Sequence, residues 1–171
     1  MLVERSIVFK SLADAEPGEL LILEMDGEKG VGILINKEHS YRIAVLKGGD
    51  APWPHLRTIQ HSERCGSLGK DWLLELLDGP ESFPYNAKTF VGHYGLVCLN
   101  TGDIPVLRLG PASSANAVNE INLNDCSRWA IDENSIPYLK WQVWRSKEHF
   151  DAKDAERGLI VTIEAQEPAP R

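Results

Sequence analysis

The sequence predicts an all-β fold: an antiparallel sandwich or barrel of roughly seven to nine strands, with at most one or two short helices. Three observations lead there. The apolar segments are short and rich in Val, Ile and Leu; Gly, Pro, Asn and Asp punctuate them closely; and no strand–helix–strand alternation is present.

The clearest unit opens with the turn signal Pro17-Gly18. Glu19–Met25 and Val31–Asn36, joined by Asp26-Gly27-Glu28-Lys29-Gly30, read as a β-hairpin. Lys37–Ser40 turns the chain into a third strand, Tyr41–Leu46. Lys47–His55 holds two glycines and two prolines, which forbid regular structure. Leu56–Gln60 reads as a short strand. Asp71–Asp78 has helix-favouring residues but the length of a buried strand, and is core in either form.

Asp78–Lys88, with Gly79-Pro80 and Phe83-Pro84, reads as a loop. Phe90–Leu99 and Ile104–Leu109 form a second hairpin around Asn100-Thr101-Gly102-Asp103, and Pro105 predicts that its second strand lies at a sheet edge. Gly110–Asn124 reads as an extended surface loop; its asparagines are ordinary turn residues as well as donors and acceptors for a saccharide or peptide. Ser127–Ile131 and Tyr138–Arg145 read as strands. Ser146 caps a short helix within the charged stretch that ends at Gly158, with a long hairpin loop as the alternative. Leu159–Ala165 closes the fold. The 171 residues suit one domain, assigned to 1–165, with 166–171 read as a disordered tail.

Eighteen Lys and Arg against 25 Asp and Glu give a net charge of −7, which disfavours sequence-independent contact with nucleic acid or anionic lipid. No apolar run approaches the ~20 residues that cross a bilayer, and the first residues lack the apolar stretch of a signal peptide. Three widely spaced cysteines, Cys65, Cys98 and Cys126, make a disulfide framework improbable. The expectation is a cytoplasmic protein with reduced thiols.

No phosphate-binding, dinucleotide, zinc-protease or Cys-x-x-Cys motif is present. Gly66-Ser67-Leu68-Gly69 has the wrong spacing for a hydrolase elbow. His55, His61, Glu63 and Cys65 form the densest polar constellation and are weak metal candidates, since their spacing matches no ligand signature. No metal or other cofactor is assigned. Cys98 lies in an apolar run and reads as a buried hydrophobe, whereas Cys65, near Arg64 and His61, is the best thiol candidate.

The aromatic residues say more. Trp53, clamped between Pro52 and Pro54 beside His55, is placed either to stack on a ligand or to plug the end of the fold. In a strand, Leu139, Trp141 and Val143 face one way and Lys140, Gln142 and Trp144 the other, so Trp144 lies on a surface or under the charged segment after it. Three functions compete. The first is a non-catalytic module binding a protein or small molecule through Trp53, His55 and Trp144. The second is an assembly subunit of a homo-oligomer using strand edges. The third is a small enzyme, metal-assisted through His55, His61, Glu63 and Cys65, or built on His93.

Overall fold

The computed structural model describes residues 7–25, 27–49, 51–60, 63–77, 92–111 and 119–167. Among them lie thirteen strands in three antiparallel sheets, with two short helices and one 3-10 turn. The fold is all-β, with more strands than the sequence suggested.

Strands β1 (Val8–Ser11), β2 (Leu20–Met25), β3 (Glu28–Asn36), β4 (Tyr41–Lys47), β5 (His55–Ile59) and β6 (Arg64–Gly69) form a six-stranded sheet ordered β1-β6-β2-β3-β4-β5. Its centre is the expected meander with a tighter turn: Met25 pairs with Glu28, so Lys29 and Gly30 belong to the ladder. Period-2 alternation divides the side chains between two faces. Leu21, Leu23, Leu34, Ile43, Val45, Ile59 and Cys65 form one buried cluster with Leu12 and Ala15. That cluster joins β5 to β6, strands from opposite sides of the sheet, so the sheet curls around its own apolar face.

The alternate residues Leu20, Ile33, Ile35, Ala44 and Leu46 meet the other two sheets in a second core. One of these holds β8 (Val97–Asn100), β9 (Ile104–Leu109), β10 (Asn119–Asn122) and β11 (Ile136–Tyr138), ordered β10-β9-β8-β11; the other, ordered β13-β12-β7, holds β7 (Leu73–Leu76), β12 (Lys140–Trp144) and β13 (Leu159–Glu164). Val97, Leu107, Ile121, Trp141, Val143, Val161 and Ile163 supply their share, so one core ties all three sheets together. Of the segment 71–78, Leu73–Leu76 form the strand β7, paired with β12, and Asp78 lies outside the described residues.

Several expectations need correction. Pro105 does not place β9 at an edge, because β9 runs between β8 and β10. Along β9 the odd-numbered main-chain groups face β10, and Leu123 N–H donates to Pro105 O at the point where β10 has ended. The donor that proline lacks would therefore point past the end of the ladder. Part of the supposed loop 110–124 is strand β10, including Asn119 and Asn122, while Asn116 lies outside the described residues.

Ser127–Ile131 is not a strand; only Arg128 bridges to Ile121. Ser127 O and Trp129 N–H pair with the β10 main chain at that bridge, and beyond it side chains capture the backbone: Asn100 Nδ2 donates to Ala130 O, Ile131 N–H donates to Glu120 Oε2, and Asp132 N–H donates to Asn100 Oδ1. Tyr138–Arg145 is split at Leu139, β11 pairing with β8 and β12 with β7 and β13. The charged stretch is helical as expected, in two pieces: α1 (Lys147–Asp151), capped by Ser146, and α2 (Ala155–Gly158), capped by Asp154. Gln166, assigned to a disordered tail, is paired in both directions with Tyr94; residues 168–171 lie outside the described set.

Candidate functional site

The loop between β4 and β5 carries the strongest sequence candidate, and the structure shows what holds it. Gly48 and Gly49 take φ of +91° and +81°, conformations costly for any residue with a Cβ, so this pair sets a defined turn. Pro52 is exposed and Trp53 half-buried. The Trp53 indole N–H donates to Pro111 O at 3.1 Å, and its ring meets Tyr94 with centroids 5.1 Å apart and planes tilted by 50°. Both rings close over Gly110, where a Cβ would stand 2.4 Å from Trp53 Cδ1 and 2.7 Å from Tyr94 Cγ. Gly110 N–H donates to Pro54 O, which fastens the loop to the end of β9.

His55 is 2% exposed, with Nδ1 3.0 Å from Trp53 O, so its ring braces the loop from within. Beside the loop lies a cleft of about 330 Å³. Ala51, Pro52 and Pro54 form one side, Thr162 and Glu164 of β13 the other, and the buried Leu46 and Ile163 close its base.

Trp144 takes the second of its two expected positions, under the charged segment. It is 7% exposed, packs edge-on against Phe150 of α1 with centroids 5.7 Å apart, and donates its indole N–H to Glu75 Oε2 at 2.7 Å. Burial in this form removes Trp144 from an open recognition surface.

Among the described residues the metal candidates do not come together. His55 is held in the loop, Glu63 is exposed ahead of β6, and Cys65 sits in the inner cluster of the six-stranded sheet; His61 lies outside the described residues. Among the described residues no three of His, Cys, Asp and Glu, His93 included, are grouped to hold a metal.

All three cysteines are free and buried. Burial raises each thiol pKa: Cys98 is pushed up to about 11, and the neighbouring Asp125 adds to the rise at Cys126. Burial among apolar side chains disfavours the thiolate of Cys65 as it does those of Cys98 and Cys126.

Two features were invisible in the sequence. The first is the buried carboxylate Glu19. Burial opposes its charge, but hydrogen bonds from Lys10, Ser67 and the Glu16 N–H outweigh that and hold its pKa below the usual glutamate value. The second is a cleft of about 490 Å³ between the Pro17-Gly18 turn and the 124–126 turn, with Lys70 and Trp72 at its wall. The Trp72 indole N–H is already committed to Gly18 O at 2.9 Å.

No protein-family model, curated protein sequence or solved structure matches the chain. Among the described residues no helix is long and apolar enough to cross a membrane.

Proposed function

We propose that the protein is a non-catalytic binding module whose recognition surface is the 48–55 loop and the cleft beside it. One observation carries the reading: an exposed proline lines an open cleft, and the half-buried tryptophan next to it in the chain is held in place by its bond to Pro111 O. A pre-positioned aromatic on a β scaffold gives contact area at low entropic cost. Among the described residues, the buried thiols and the scattered His and Glu residues lend no support to nucleophilic or metal-assisted catalysis.

The test pairs stability with association. A fully buried tryptophan costs about 3–5 kcal/mol when truncated to alanine. Trp53→Ala should cost clearly less, while proteins retained by the immobilised wild-type chain from its source lysate are lost. A loss in the full core range with retention unchanged would reject the recognition role.

Homo-oligomer assembly is the second reading. Val8 and Phe9 are 59% and 71% exposed on β1, an edge strand of the six-stranded sheet, and exposed apolar residues on an edge strand invite pairing. Light scattering across a concentration series tests it, and a monomer at every concentration excludes it.

A further inference from the structure

We infer that the cleft beside the 48–55 loop takes a peptide in extended conformation, which adds as an antiparallel strand to the free edge of β13. This rests on the binding-module reading and names the class of partner.

The main-chain directions along β13 carry the argument. Ala165 N–H donates to Leu139 O, so in this antiparallel ladder the groups of Val161, Ile163 and Ala165 face β12. Those of Thr162, Glu164 and Gln166 therefore face the other way. Gln166 shows what that edge does, because its N–H and C=O both pair with Tyr94. The chain then leaves: Gly95 N–H turns to Arg108 O, and the path beside Glu164 and Thr162 opens into the cleft. Among the described residues no main-chain group pairs with Thr162 or Glu164 on that side. An incoming strand would continue the line that Tyr94 begins.

The opposite wall favours one added strand. Pro52 and Pro54 have no N–H, so much of that wall offers apolar surface without a main-chain donor, and Ala51, Gly48 and Lys47 supply the donors that remain there. Strand addition takes affinity from the main chain and specificity from alternate side chains. Cross-strand partners share a face. A peptide residue opposite Ile163 points toward the base of the cleft near Leu46 and should be Val or Ile. The residues on either side share the solvent face of Glu164 and Thr162, which favours Lys or Arg opposite the carboxylate and Thr opposite the hydroxyl. Read in peptide direction, the motif is basic, then β-branched apolar, then Thr.

The probe is a phage-displayed library of random heptapeptides, selected on the immobilised full chain. Enriched sequences should carry that alternation, and the best of them, made synthetically, should shift the amide resonances of Thr162 and Glu164. N-methylation at the two residues opposite Thr162 and Glu164 should weaken binding at least tenfold, while N-methylation at the residue opposite Ile163 is tolerated, since its N–H points away from β13. Chemical change in the peptide leaves the protein's own fold untouched. No enrichment, equal tolerance of all three N-methylations, or shifts confined to other regions would each overturn the inference. Peptides that tolerate N-methylation but are lost on Trp53→Ala would sink strand addition and leave loop recognition standing. N-methyl-sensitive peptides that bind Trp53→Ala unchanged would do the reverse.

Discussion

The inner cluster of the six-stranded sheet and the seam around Trp53 are both closed by apolar side chains, yet they are specified differently. In the cluster, Leu21, Leu23, Leu34, Ile43 and Val45 come from consecutive strands, and each reaches the interior because alternate residues of a strand share a face. At the seam, Trp53 meets Tyr94, Gly110 and Pro111, while Tyr94 pairs with Gln166, segments brought together only by the finished fold. Local pattern encodes the first region and long-range contact encodes the second. The cluster should therefore answer to lost volume and the seam to lost space.

The largest effect is expected in the cluster. Leu34 is fully buried, so Leu34→Ala should cost about 2–5 kcal/mol in chemical denaturation, from lost transfer energy plus the cavity left behind. A loss near zero would mean that the curled face is not a packed interior.

The seam should respond to an added methyl group instead. Gly110→Ala places a Cβ against both rings and should cost about 1–3 kcal/mol. The comparison sharpens in the double variant: with Trp53→Ala present, Gly110→Ala should lose much of its cost, because the nearest obstacle has gone. Strict additivity of the two losses would show that Trp53 does not rest on Gly110.

The same contrast explains what was legible in the sequence. Glu19–Met25, Val31–Asn36 and Tyr41–Leu46 announced themselves by apolar runs between turn residues, and β2, β3 and β4 follow them closely. β6 went unread because Gly66, Ser67 and Gly69 dilute its pattern; only Cys65 and Ser67 reveal its buried face. Ser127–Ile131 looked like a strand but has its backbone claimed by Asn100 and Glu120, partners its own residues do not hint at. At the candidate site, Pro52-Trp53-Pro54 marked the loop, whereas nothing near Gly110 or Thr162 signals that they complete it. A cleft wall is a property of two segments, and a reading along the chain meets them separately.

Glu19 offers a smaller effect, readable by pH, on the rim of the same curled sheet. Its lowered pKa means that the folded state binds this proton less readily than the unfolded chain does. Its contribution is thus present above the ordinary glutamate pKa of about 4.3 and fades as pH falls through the depressed folded value. Glu19→Gln should cost about 1–2 kcal/mol at neutral pH, as expected for hydrogen bonds to a charged group, and the gap to wild type should narrow in acid. A gap independent of pH would assign the loss to shape rather than charge.

The smallest effect concerns the outer edge of that sheet, and here the size itself is the test. Phe9 pairs across to Gly66, next to Ile22 on β2, so its ring lies over a shallow apolar hollow without being enclosed by it. A ring 71% exposed in one copy has little burial to lose, and Phe9→Ser should change stability by less than about 0.5 kcal/mol at low protein concentration. If a second copy covers β1 in solution, the loss will grow as protein concentration rises, because association stabilises by mass action. A loss near zero at every concentration would remove β1 as an assembly edge and leave the cleft beside β13 as the surface to pursue. A small loss at low concentration that climbs with concentration would favour assembly through β1.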